Sequence, residues 1–208
     1  MNENNPMDGM SDESIQYAYE TLMAYVDTII PRTPLLAQEY GNYMLYGALD
    51  LYIDEYLYMI QDIYPPSTAF LTARMLNAAA EEYLASKNGQ VPRENVAMQE
   101  SVFATLSMED RYRVLALIMD IKKNFPKVLF FNENPALILI AGSLNRFTML
   151  GYYSEWFGYG TTRLAKPSER IFEFDPVSWE QAGYPGPSQS NLDYVRAYYQ
   201  IRDSINGQ

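Results

Sequence analysis

Histidine and cysteine are both missing from all 208 residues of the chain. Without cysteine there is no disulfide, thiol nucleophile, zinc ribbon or iron–sulfur cluster. Without histidine there is no Ser-His-Asp machinery, no His-ligated haem and no Glu-x-x-His di-iron site. Carboxylate, lysine or tyrosine chemistry is left, or none. Long apolar runs are missing too: the stretch from Tyr43 to Ile60 is broken by Asp50, Asp54 and Glu55, which are costly in a bilayer. Met1 to Pro6 lacks the basic and apolar regions of an export signal. A cytoplasmic protein with no membrane span is expected.

Positive charge is scarce in one half only. Residues 1–86 hold thirteen acids and two bases, Arg32 and Arg74, whereas the remainder is neutral and the net charge is −11. Such a half repels nucleic acid and anionic lipid. It serves either as a solvated surface or as a docking face for a basic partner.

What the chain does have is apolar and aromatic residues, 48% hydrophobic with 19 tyrosines, and helical punctuation. An acidic tail is expected over 1–10. Ser11 is the N-cap of a first helix in which Ile15, Ala18, Leu22, Tyr25, Val26 and Ile29 share a face, ended by Pro31 and Pro34. A second segment, 35–64, is apolar almost all round and reads as a central buried helix, with Gly41 and Gly47 as its candidate breaks. Further helices are expected from Thr68 to Lys87, from Pro92 to Ala104, from Met108 to Lys123 behind a Ser107 cap, and from Ala136 to Tyr153 behind Asn134-Pro135. In the fifth, Tyr112, Leu115, Ile118 and Met119 are expected on one face; in the sixth, Leu137, Ile140, Ala141, Leu144, Phe147 and Thr148 face inward. From Ser154 to Gln189 the period fails, and a last short helix follows from Leu192 to Ile205. The class is all-α: a bundle of five to six helices over 11–153, with a Gly/Pro- and aromatic-rich segment, 154–208, wrapped on the same domain.

Three blocks of residues resemble one known family. Ala24-Tyr25-Val26-Asp27-Thr28-Ile29-Ile30-Pro31, followed by Tyr52-Ile53-Asp54, is the first. Phe103-Ala104-Thr105-Leu106-Ser107-Met108-Glu109-Asp110-Arg111 is the second. Gly151-Tyr152-Tyr153, Tyr159-Gly160, Trp179 and Gly183-Tyr184-Pro185-Gly186 make the third. Together, over roughly residues 15 to 187, they resemble the small subunit (subunit 3, gamma) of gluconate 2-dehydrogenase. The resemblance implies a helical, non-catalytic accessory subunit paired with a large flavin-dependent dehydrogenase of the glucose–methanol–choline type. The large subunit of that family carries the flavin and the chemistry, so no catalytic residue, cofactor or metal is expected here. The family's small subunit commonly bears a twin-arginine export signal; this chain has no twin arginine.

Asp50 and Asp54 would share a face of a helix, with Asp62 two turns on, as a carboxylate pair for a hard cation or acid–base work. More simply they are the polar stripe of an apolar helix, bonded to tyrosine hydroxyls or an arginine. An enzyme reading would need such acids to converge with tyrosines and an arginine in a pocket. Tyr40, Tyr43, Tyr46, Tyr52, Tyr56, Tyr58 and Tyr64 are expected to build core around that helix. Tyr152, Tyr153, Trp156, Phe157, Tyr159, Trp179 and Tyr184 are the expected partner-binding set, because binding residues collect on irregular backbone. Arg163, Lys166 and Arg170 are expected to pair with Glu169, Glu173 and Asp175 or with the acidic half. The alternative to an accessory subunit is a stand-alone helical protein that self-associates or binds another protein.

Overall fold

Residues 11–63, 68–88, 100–119 and 135–186 are described in a computed structural model of the chain. The helices among them are α1 (Asp12–Ile29), α2 (Ala37–Tyr40), α3 (Ile53–Asp62), α4 (Thr68–Asn88), α5 (Val102–Thr105), α6 (Met108–Met119), α7 (Pro135–Tyr153) and α8 (Val177–Ala182). No strand occurs among the described residues, and the fold is an all-α bundle. The expected tail over 1–10, Tyr64, Lys122, Lys123 and the helix over 192–205 lie outside them.

Helices α1 and α4 form the centre and pack along each other; α3, α5, α6 and α7 close round them. α1 starts where expected: the Ser11 Oγ accepts from the Ser14 N–H, and Asp12 and Glu13 occupy the positive first turn. Its apolar residues Leu22, Tyr25 and Val26 are buried in one core with Met75, Leu76, Ala79 and Ala80 of α4 and the fully buried Phe103 of α5, while Ala18 packs with Tyr17 and Ala73.

A buried polar knot joins three of these helices. Asn77 of α4 donates through Nδ2 to the Thr21 hydroxyl of α1 (3.0 Å) and to the Ala73 carbonyl (2.8 Å). Its Oδ1 accepts from the Phe103 N–H (2.9 Å) and the Ser101 hydroxyl (3.2 Å), which N-caps α5. Every hydrogen-bonding site on the amide thus has a partner, the condition for burying it without a large penalty. Ser107 likewise caps α6, accepting from the Asp110 N–H at 3.2 Å.

The single buried helix expected over 35–64 is not formed. Only Ile53–Asp62 is a helix of any length; before it run three short 3-10 turns and the four-residue α2. Backbone at the break points explains this. Gly41 sits at φ +114° and Tyr52 at φ +55°, both outside the right-handed helical region. Gly47 lies so close to the end of α1 that a Cβ there would stand 2.8 Å from the Arg32 backbone nitrogen. Of the residues expected on one face of α6, Ile118 is buried and Tyr112 is exposed, with Val114 buried as well; Phe147, expected inward on α7, is exposed.

Candidate interaction surface

The wrap begins where α7 ends, and Trp156 fastens it. This side chain is 2% exposed, packs edge-on against Tyr56 with ring centres 5.3 Å apart, and donates its indole N–H to the Tyr52 carbonyl at 2.7 Å. Gly151 allows that approach, because a Cβ there would meet the Tyr56 ring at 2.5 Å. Arg163 is the second fastening. Its guanidinium forks onto both carboxylate oxygens of Glu55 (2.8 Å each) and lies 3.7 Å from the centre of the Tyr52 ring.

Beyond these anchors the aromatic rings pack on one another. Phe157 meets Phe174, Tyr159 meets Phe172, Phe172 stacks on Trp179 and Trp179 meets Tyr184, at centre distances of 4.8 to 6.0 Å. Gly158 leaves room for Phe172, whose ring would lie 2.6 Å from an added Cβ. Glu173 bends back to accept from the Thr161 N–H at 3.0 Å and fills the space beside Gly160, which sits at φ +47°.

The seven expected partner-binding residues therefore divide. Tyr152, Trp156 and Trp179 are buried, Phe157 and Tyr159 are half-buried, and Tyr153 and Tyr184 are exposed by about half (50% and 49%). The wrap shows solvent a different apolar set: Leu164, Ile171, Phe172 and Phe174.

The early tyrosines also depart from expectation. Tyr56 is buried and Tyr43 and Tyr58 half-buried, but Tyr40, Tyr46 and Tyr52 are exposed. Between α1 and α3 the chain makes an excursion, 31–52, that presents Leu35 (94% exposed), Leu36, Leu45 and Leu49 as well. The sequence carried a signal for this in Gly41 and Gly47, the candidate breaks of the expected helix.

Asp50 and Asp54 do not share a helical face. Asp50 precedes α3, accepts from the Gly47 N–H (2.8 Å) and forms a forked ion pair with Arg32 that holds its carboxyl below the usual range. Asp54 is buried in the first turn of α3 and accepts from the Tyr19 hydroxyl at 2.9 Å. Burial raises the Asp54 pKa; burial and then the neighbouring carboxylate raise that of Tyr19, which keeps its proton and donates it. These are the tyrosine and arginine partners that the simpler reading anticipated. Asp62 lies near Tyr58, and no group of three or more acids among the described residues is placed to hold a metal ion. Arg163 chose the acidic half through Glu55. Arg170 donates to the Ala165 carbonyl and faces the rings of Trp156 and Tyr159.

One cavity of about 330 Å³ opens between α1, α4, α6 and α7, lined by Tyr25, Ile29, Met75, Leu115, Leu144, Asn145 and others. No carboxylate lines it among the described residues, so Asp50 and Asp54 do not converge on a pocket there.

No family model, curated protein or solved structure matches the chain. In the fold the first and second sequence blocks meet, and Arg163, which belongs to none of the three, bridges the first and the third. Arg111 of the second block pairs with Asp27 of the first (3.4 Å) and donates to the Ala104 carbonyl (2.6 Å). Arg163, which also donates to the Gly160 carbonyl of the third block (2.8 Å), stacks on Tyr52 of the first. No helix among the described residues is long and apolar enough to cross a membrane.

Proposed function

We propose that this chain is a non-catalytic accessory subunit that docks on and stabilises a flavin-dependent sugar or polyol dehydrogenase of the glucose–methanol–choline type. The observation that carries the reading is that the first and second resemblance blocks meet and the first and third are bridged. Asp27 and Arg111 form an ion pair across 84 positions, and Arg163, which lies outside the blocks, stacks on Tyr52 while donating to the carbonyl of nearby Gly160. Their work is architectural: they hold α1 to α6 and the wrap to α3. A subunit whose signature residues build a shape, with large apolar groups left on its surface, suits a role played through contact.

Co-expression with a flavin-dependent dehydrogenase encoded beside this chain tests the reading. The expected result is a complex that survives size-exclusion chromatography and carries the flavin absorbance. A chain that elutes alone in the presence of each such enzyme of its genome would sink it.

A self-associating protein is the second reading, favoured by α7. Leu139, Leu150 and Tyr153 are exposed along that helix at spacings of eleven and three, with Phe147 beside them, a stripe suited to pairing with its own copy. Sedimentation equilibrium decides it: a dimer abolished by Leu150→Glu would favour this reading over the first.

A further inference from the structure

We propose that the excursion over 31–52 is the docking element of this chain, and that its occupant is a second protein offering an apolar cleft rimmed by lysine and arginine; the identity of that protein as a flavoenzyme rests on the accessory-subunit reading.

The excursion is closed and ordered. The Ala48 N–H donates to the Ile30 carbonyl at 2.8 Å, joining its return to its exit. Inside that closure the Thr33 N–H donates to the Met44 carbonyl at 3.0 Å, and the Arg32–Asp50 pair latches the base with help from the Gly47 N–H. Compact surface loops with joined ends are frequently functional.

Its interior supplies little of that order beyond the half-buried Thr33, Tyr43 and Met44 and the contact of the turn 42–45 with α8. From residue 33 to residue 46 none is buried, and Leu35, Leu36, Tyr40, Leu45 and Tyr46 all face solvent. Fixing a backbone loses conformational entropy that apolar burial normally offsets. Here the apolar groups are held outward and remain available for burial against another molecule.

Charge selects among occupants. Arg32 is the one base of the excursion and is already bound to Asp50, whereas Glu39 stands exposed between the leucines and Tyr40. The excursion belongs to the half of the sequence with thirteen acids and two bases. Two copies meeting here would bring like charges together, while a Lys/Arg-rimmed partner is drawn in.

The test places the photo-cross-linking residue p-benzoyl-phenylalanine at Leu35 and, as a control in the wrap, at Leu164, in the full chain expressed in its own host. Adducts are mapped by mass spectrometry. The expected result is an adduct from position 35, and not from 164, with one other protein at an apolar site flanked by lysine or arginine. Against that partner once purified, Leu35→Glu with Leu45→Glu should weaken binding at least tenfold while circular dichroism stays that of the wild type. An adduct from 35 with a second copy, with another part of the same chain, or with a site lacking basic residues would overturn the inference, as would no adduct there. A flavoenzyme captured only from 164 keeps the accessory reading and sinks the docking element. A basic-rimmed partner without flavin, captured from 35, does the reverse.

Discussion

The excursion over 31–52 and the wrap over 154–186 are both poor in long helix and rich in large apolar residues, yet they use them in opposite directions. The wrap drives Trp156 between Tyr52 and Tyr56 and folds Phe172, Trp179 and Tyr184 onto one another. The excursion buries only Gly47, Ala48 and Leu51, near its return, and turns its leucines outward. Composition does not separate them. What does is the supply of partners within reach. The wrap contributes its own glycines, Gly158 and Gly160, that let rings and Glu173 close on the backbone. The excursion leans on the wrap through its turn at 42–45, which meets α8.

Removing an anchor from the wrap is the severest test of that contrast. Trp156→Ala deletes a side chain buried between α3 and the wrap and removes one of the two donors to the Tyr52 carbonyl, the Tyr56 N–H (3.2 Å) remaining. A loss of about 3–5 kcal/mol in denaturant-induced unfolding is expected, as for other buried tryptophans. A loss below about 1 kcal/mol would mean that the wrap rests on the bundle without contributing to it.

Arg163→Ala should cost less, about 1–3 kcal/mol, because it strips a charge-assisted fork from Glu55 and a cation from the Tyr52 ring while the apolar packing stays. Arg163→Lys restores charge without the planar fork and should fall between the two. Equal stabilities for the alanine and lysine variants would show that charge at 163 contributes nothing and that the wrap holds by its rings.

Asp54 lies at the seam, where the excursion ends and the wrap returns. Its pKa in the folded chain is raised by burial, so the folded state holds a proton that the unfolded state has released. The sign follows: its contribution falls as pH rises above the ordinary aspartate range, because ionising the buried carboxyl is penalised. Asp54→Asn has no such titration and can still accept from the Tyr19 hydroxyl. The stability of Asp54→Asn relative to wild type should therefore improve as pH is raised from about 4 to 7. A difference that stays flat with pH would place Asp54 in a well-solvated setting and weaken the distinction between seam and surface.

Most of the bundle is written in its caps and periods. Ser11, Pro31, Thr68 and Ser107 mark helix ends that the fold respects to within a residue or two, since an N-cap side chain or a missing proline donor acts locally. The segment 35–64 was misread because its apolar content satisfies a buried helix, and only backbone at Gly41, Gly47 and Tyr52 says otherwise. Tyrosine at positive φ has no sequence signature; Tyr52 caps the turn Ala48–Leu51 in the left-handed region, and its carbonyl is met by Trp156 from a hundred residues away. The same distance hid the division of the expected interaction set. Whether Trp179 faces a partner or Phe172 depends on how the chain turns at Gly160 and Gly183, which periodicity does not encode. Asn77 carried no signal either, because its value lies in meeting Thr21, Ser101 and Phe103 at once.

The smallest expected effect belongs to the excursion and is the sharpest statement of the contrast. Leu35→Ser and Leu45→Ser each remove a side chain of the same kind as the core leucines, but one already exposed in the isolated chain, Leu35 by 94% and Leu45 by 41%. Each should change unfolding free energy by no more than about 0.5 kcal/mol, the range for surface positions. The same replacement at the buried Leu57 of α3 should cost several times that. Near-zero costs at 35 and 45 would leave contact with another molecule as the one place where these leucines contribute. A loss at Leu35 comparable to that at Leu57 would instead mean that the excursion is held by its own side chains, and the difference between the two regions would disappear.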